Sequence, residues 1–194
     1  MAKLPSKVFD ICITDPPYNV GINYNVHNDN MADYEDWCKE WFSECERITK
    51  HIILISCGIS NLGSWHNIKK PDWILAWHKP GAMGRCTVGF NNWEPILLYG
   101  KVRKQTVDVI RAPIITDKNI GFHPCPKPLA WAAQQLSQFA QDGDVLFDPF
   151  IGSGTTAIAA HDGGFDFVGC EIDKDYFDAA KKRLNIHQSQ GRLF

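Results

Sequence analysis

The sequence carries two segments whose residue types and spacing suit chemistry. The first is Thr14-Asp15-Pro16-Pro17-Tyr18-Asn19, which follows an apolar run at 8–14. Two prolines stiffen this turn and remove two N–H donors, so its carbonyls face outward without internal competition. Asp15 and the Pro16 carbonyl then form a rigid pair of acceptors, suited to an amino group with two hydrogens to donate. Tyr18 adds an aromatic face on which a planar base can stack. Taken alone, Asp-Pro-Pro is more often a loop whose Asp caps a turn. Its place after a buried strand, with Tyr next, favours the chemical reading, because α/β sheets set their active sites at the carboxyl ends of strands.

The second segment is a strand, a tight glycine turn and a helix start, running from Val145 through Phe147-Asp148-Pro149-Phe150-Ile151-Gly152-Ser153-Gly154-Thr155-Thr156. Gly152 and Gly154 allow close approach of backbone to a ligand, and the helix start offers unpaired N–H groups. Glu171, nineteen residues beyond Gly152, stands at the end of the next expected strand, where an acidic group can accept ribose hydroxyls. Neither the dinucleotide fingerprint nor the phosphate-binding P-loop pattern is present. Asp148 would repel a pyrophosphate and favour a cationic ligand. A nucleoside with positive charge fits that combination, and S-adenosylmethionine is such a molecule. The plain alternative is an ordinary strand-to-helix turn with a glycine bend.

Positioning these segments requires alternating elements. Buried strands are expected at 8–14 and 51–57, a helix at 34–50 capped by Asp33, and strands at 73–79 and 94–100 around a glycine-rich turn at 80–89. Residues 101–126 read as irregular. Beyond them come helix 128–141, strand 144–148, helix 153–162, strand 165–171 and helix 174–187. Trp37, Trp41, Cys45 and Ile48 share one helical face and are assigned to the core. Strands alternating with helices predict a doubly wound, mostly parallel α/β sheet.

At 194 residues, 44% hydrophobic and 22% charged, the chain suits one ordinary domain rather than a disordered one. There is no membrane-spanning run and no signal peptide. Seven scattered cysteines without a Cys-x-x-Cys pair point to neither a disulfide framework nor zinc, so a reducing, cytoplasmic setting and no metal are expected. His51, His66, His78, His123, His161 and His187 lack ligand-like spacing, and His27 lies in the loop after Tyr18. The formal charge of −2 conceals a pattern, since residues 1–68 and 129–194 each carry −4 and residues 69–128 carry +6. The basic middle holds Lys69, Lys70, Lys79, Arg85, Lys101, Arg103, Lys104, Arg111, Lys118 and Lys127 among aromatic residues. That mixture suits nucleic acid, or else a solvated surface around strands.

These segments together resemble the amino-group DNA methyltransferases, which modify adenine N6 or cytosine N4. Asp15-Pro16-Pro17-Tyr18 is similar to that family's catalytic tetrapeptide, and 147–156 to its cofactor motif. Glu171-Ile172-Asp173 resembles its ribose-binding segment. His123-Pro124-Cys125-Pro126-Lys127-Pro128 resembles the His-Pro-x-x-Lys-Pro stretch beside the methionine part of the cofactor. The catalytic motif precedes the cofactor motif, as in the permuted β group. That order disfavours RNA and protein methyltransferases.

The resemblance implies a Rossmann-like methyltransferase sheet, one domain divided into a catalytic half (1–104), a connecting segment (105–126) and a cofactor half (127–194). It implies S-adenosylmethionine as cofactor, held by Asp15, Lys127, Pro128, Asp148, Pro149, Phe150, Gly152, Ser153, Gly154, Thr155, Glu171 and Asp173. It implies catalysis by Asp15, Pro16, Pro17 and Tyr18. The partner is double-stranded DNA with the target base flipped, met by Tyr18, Asn19, Lys79, Arg85, Arg103 and Lys104. A homodimer and a restriction endonuclease partner are compatible with the family but not indicated by these residues, and the setting is a bacterium or phage.

Adenine is preferred because the family's cytosine enzymes more often carry Ser in place of Asp15; N4-cytosine transfer is the alternative. A catalytically silent nucleic-acid or cofactor-binding relative is a third reading, against which the intact Asp15 and Tyr18 weigh. Relatives usually have an upstream strand with an Asp on the cofactor adenine. Here the chain starts just after that point, as a minimal enzyme or a fragment, and the sheet should lack one edge strand. Relatives also insert a target-recognition region, for which only 102–122 is available, so DNA reading would fall to loops 19–32 and 80–92.

Overall fold

The computed structural model describes residues 1–114, 121 and 123–190. The segment at 8–14 forms β1 (Phe9–Thr14), buried along its whole length. A strand covered on both faces has no solvent side to alternate toward, and this explains its continuous apolar run. Helix α1 (Tyr34–Ile48) runs directly into β2 (Thr49–Ser56) without a loop. Asp33 sits at the helix N-cap but makes no side-chain capping bond. A short helix absent from the expectation, α2 (Leu62–Ile68), lies between β2 and β3 (Trp73–His78).

The turn at 80–89 belongs to a small hairpin, β4 (Gly84–Cys86) and β5 (Gly89–Asn91), before β6 (Trp93–Gly100). Residues 101–126 are not wholly irregular, since β7 (Val109–Arg111) adds a strand. Within that stretch, Lys118 and most of 115–122 lie outside the described residues. The remainder follows the expected order as α3 (Leu129–Phe139), β8 (Val145–Asp148), α4 (Thr155–Gly163), β9 (Asp166–Gly169) and α5 (Lys174–Ser189).

Seven strands join one sheet in the order β7-β3-β6-β2-β1-β8-β9, and the hairpin stands apart. β1 pairs in parallel with β2 on one side and β8 on the other, so the two motif-bearing strands are neighbours although 134 residues separate Thr14 from Asp148. Only β6 runs against the rest, antiparallel to both β2 and β3. Each face of the sheet has its own core. Ile11, Ile13, Leu54, Leu75 and Ile96 pack on α3 and α4 through Trp131, Leu136, Ala159 and Ala160. Phe9, Cys12, Ile53, Ile55 and Phe147 pack on α1 and α2 through Trp41, Phe42, Cys45 and Trp65. The result is a three-layer, doubly wound α/β sheet.

The antiparallel β6 breaks up the basic middle of the chain. It begins beside His78 at the end where β1, β2, β3 and β8 terminate, and it finishes with Gly100 opposite Ile52, near the start of β2. Residues 101–104 are therefore delivered to the end of the sheet away from Asp15 and Tyr18. Both guanidinium nitrogens of Arg103 bond Asp144, a buried carboxylate just before β8. Lys104 donates to the carbonyls of Ser137 and Ala140 at the end of α3, at 2.8 and 3.1 Å. These two residues, expected on DNA, instead close the far end of the fold. Truncating Arg103 leaves Asp144 buried and unpaired, so Arg103→Ala should lower stability by about 3 kcal/mol. The same variant should leave the salt slope of DNA binding unchanged, and urea unfolding with fluorescence anisotropy tests both points.

Candidate active site

Asp15 follows β1 directly, and its Oδ1 receives two donors: the Tyr18 hydroxyl at 2.7 Å and the Lys127 ammonium at 2.8 Å. Lys127 also reaches the Tyr18 hydroxyl at 3.2 Å and lies 3.8 Å from Glu94 Oε2. Glu94 in turn pairs through Oε1 with Lys79 at 2.6 Å. Two carboxylates and two ammonium groups thus form a half- to fully buried chain from four separate stretches of sequence. The Lys79 and Lys127 ammonium groups each lie 5.4 Å from the centre of the Trp77 ring.

Burial and charge compete in the titration of Asp15 and Lys127. Burial pushes the Asp15 carboxyl above its ordinary value, although Lys127 and the Tyr18 hydroxyl oppose the shift. Desolvation acts to lower the Lys127 ammonium, but Asp15 and Glu94 outweigh it and the group is held above its usual range. The Tyr18 hydroxyl is driven well upward by burial and by Asp15, so it remains a donor.

The loop after Tyr18 is built on side chains that the sequence reading did not single out. Asn61 donates to the Tyr18 carbonyl at 2.6 Å, and the Tyr34 hydroxyl donates to the Pro17 carbonyl at 3.0 Å. Neither bond engages the Pro16 carbonyl. Asn19, in a left-handed conformation at φ 58°, exchanges two bonds with the Met31 backbone. Buried Asp29 accepts the N–H groups of Asn19, Val20 and Ile22. Asn19 therefore folds its own loop, with both ends of its side-chain amide on the Met31 backbone.

Below this cluster opens a cavity of about 300 Å³. Asp15, Pro17 and Lys127 border it on one side, and Asp148 to Ser153, Thr155, Glu171 and Asp173 on the other. Tyr24, His27, Trp37 and Trp41 form an aromatic wall, with Phe150 5.6 Å from Trp37 and 5.1 Å from Trp41. Trp37, assigned to the core from its helical spacing, is half-buried, packs against that core and also lines this cavity. Exposed Ile172 offers an apolar surface at the rim.

The glycine turn is shaped from beneath. Gly152 adopts φ 48°, and a Cβ there would come within 3.0 Å of the His123 ring. Glu171 accepts the Gly152 N–H through Oε2 at 2.9 Å and the Asp173 N–H through Oε1 at 3.0 Å. Asp173 caps α5 through Oδ1, while its buried Oδ2 has no partner among the described residues. Thr155 donates to the Lys127 carbonyl at 2.9 Å, and Arg183 reaches the Ser153 carbonyl at 2.9 Å. Gly154 and Pro128 serve as the N-cap positions of α4 and α3.

Asp148 accepts Thr14 Oγ1 at 2.7 Å and the Phe150 N–H at 3.0 Å. Burial nevertheless raises its carboxyl to about 6, an excess that a cationic neighbour would relieve. His123 is pushed the other way, to about 4, by burial and by Lys127, so its ring is neutral at ordinary pH.

The site thus unites a carboxylate on a rigid turn with a glycine-turn cavity of negative character. A DNA methylase family model of the N6/N4 type matches residues 9–120 and 114–182. The chain belongs to the N6/N4 DNA methylase family. It is 28% identical over 223 residues to the type II methyltransferase M.HpaI of Haemophilus parainfluenzae, spanning 95% of this chain and 71% of that protein. The crystal structure of an M1.HpyAVI–SAM complex has a TM-score of 0.70 at 23% identity, covering 91% of this chain and 89% of that one. The cytosine-N4-specific PvuII DNA methyltransferase has a TM-score of 0.73 at 12% identity, covering 97% and 87%.

Family membership accords with the two segments singled out above, while Lys79 stands elsewhere than foreseen. Lys79 is buried and held by Glu94, so its charge is not presented to a phosphate. Lys127 borders the cavity, yet its ammonium clamps Asp15 and Tyr18. Glu94 had one legible signal, as a lone acid in the apolar strand Trp93–Gly100, where a buried charge requires a partner. Removing the cation should expose the balance. In Lys127→Met the Asp15 carboxyl should titrate higher still, since the cation that opposes the effect of burial is gone, as NMR of labelled carboxyl carbons would show.

Proposed function

We propose that this chain transfers a methyl group from S-adenosylmethionine to the exocyclic N6 of adenine in DNA, with the target base flipped from the duplex. The observation that carries the reading is that Asp15, on its two-proline turn, borders the same cavity as the Asp148-to-Thr156 turn and Glu171. Acceptor for an amino group and receptor for a cationic nucleoside thus meet in one space.

The residues present fit the cofactor. The cavity offers Glu171 and Asp173 for ribose hydroxyls, Asp173 with a buried oxygen lacking a partner, and Ile172 and the aromatic wall for a base. Asp148, costly to ionise when alone, suits the positive methionine end. Bound there, S-adenosylmethionine supplies an electrophilic methyl on a sulfonium.

The nitrogen to be methylated is a weak nucleophile, because its lone pair is delocalised into the ring. Asp15 and the Pro16 carbonyl accept its two N–H hydrogens, favouring a pyramidal nitrogen with a localised lone pair. Transfer of that methyl would leave the cofactor as a neutral thioether and the nitrogen with one proton in excess, which Asp15 is placed to accept. Lys127 on Oδ1 keeps Asp15 ionised and fixed, which leaves Oδ2 for the substrate. Tyr18 supplies the stacking face. The remaining rate enhancement comes from holding two substrates in line.

The deciding experiment incubates the chain with unmethylated DNA and labelled S-adenosylmethionine, then identifies the methylated nucleoside. N6-methyladenine is expected; N4-methylcytosine would move the assignment to the other branch of the family. Asp15→Ala should reduce transfer by at least about 100-fold while cofactor binding persists. Cofactor affinity should also depend on pH. Asp148 is protonated below about 6 in the empty site, so affinity for the cation should rise from pH 5 to 7 as the carboxylate forms. Asp148→Asn should flatten that rise, as calorimetric titration at several pH values would reveal.

A further inference from the structure

We propose that the hairpin β4–β5 is the element that enters the DNA duplex beside the target base, with its apolar tip as the wedge and Arg85 on the phosphate backbone. This rests on the methyltransferase reading and deepens it by naming the part of the chain that opens the double helix. The hairpin stands outside the main sheet, between the end of β3 and the start of β6, at the same end of the sheet as Asp15.

Its surface is unusual for a solvated turn. Val88 at the tip is 92% exposed, Met83 71%, Phe90 57% and Trp93, at its exit, 37%. Arg85 lies directly opposite Phe90 in the ladder, so a cation and an aromatic ring share one face. A two-stranded ribbon fits a DNA groove, and apolar side chains inserted between base steps are a known means of unstacking them. Duplex DNA is favoured over other occupants by charge as well as place. Of the cations in the basic middle, most lie at the far end or are buried, whereas Arg85 on the hairpin and Arg111 at the end of β7 remain exposed at the site end.

The hairpin is also tied mechanically to the reacting group. The Lys79 N–H donates to the Asn92 carbonyl at 2.7 Å and closes the hairpin's base. The Lys79 side chain continues through Glu94 to Lys127 and Asp15. A hairpin seated in DNA is therefore fixed relative to the carboxylate that receives the displaced amino group.

A wedge is needed only where a duplex must be opened. Methyl transfer is measured on one unmethylated plasmid, linearised and presented either as duplex or heat-denatured. In Val88→Ser and Phe90→Ser the ratio of duplex to single-strand transfer should fall by about tenfold or more, the cost of a lost unstacking contact. Thermal melting and cofactor titration check that each variant is folded. An unchanged ratio, or equal loss on both forms, overturns the proposal while leaving the methyltransferase reading intact. No transfer to either form by the unaltered chain overturns that reading and this one together.

The unaltered protein gives a second test that no folding defect can confound. Cys86, exposed on the hairpin, should lose its reactivity toward iodoacetamide when duplex DNA is added, while exposed Cys170 after β9 keeps its own. Cys86 reacting equally with and without saturating DNA overturns the proposal. Protection that follows protein concentration rather than DNA would assign the hairpin to a second copy of the chain, and overturns it as well.

Discussion

The buried ion-pair chain Asp15–Lys127–Glu94–Lys79 is the constraint on which the site depends. Any one of these charges alone would be expelled toward solvent or neutralised, because a buried unpaired ion is among the costliest features a fold can hold. Together they balance, two against two, beside the Trp77 ring. The members come from the turn after β1, the approach to α3, the first turns of β6 and the exit of β3. The chain therefore locks four segments at one level above the strand ends. Its energy is less important than its geometry, since a balanced buried cluster adds little net stability but permits only one arrangement of its parts.

A second, smaller link joins the halves of the molecule. Thr14 ends β1 and Asp148 ends β8, and their 2.7 Å hydrogen bond spans adjacent parallel strands. Both loops that leave those strands then start from a common point. The prolines after Asp15 and the left-handed glycine after Ile151 turn the two loops in the directions that open the cavity between them. Parallel pairing is what makes this arrangement compact, because both loops must leave from the same edge of the sheet.

What the sequence disclosed and what it hid follow from this design. Strand β1 and the glycine turn were legible because their signals are local: a continuous apolar run, two prolines, and glycines before a helix. Helix α2 was not, since its seven residues carry no full apolar period and depend on Trp65 filling the core. Residues 69–128 looked basic as a block, yet position along the chain is a poor guide to position in space when one strand runs backward. β6 moved Arg103 and Lys104 to the far end, where Asp144 and the end of α3 hold them. Asn19 misled in another way: an exposed-looking polar residue in a loop was needed by the loop itself.

Lys127 shows where local and distant information meet. Its motif suggested a place beside the cofactor, and in the structure it borders the cavity with its carbonyl bonded by Thr155 at 2.9 Å. The side chain, however, extends to Asp15 and Tyr18. One residue thus spans both halves of the site, its carbonyl joined to the helix that begins at the glycine turn and its ammonium to the carboxylate on the two-proline turn. The glycine-turn wall of the cavity and the carboxylate on the two-proline turn are thus joined through Lys127.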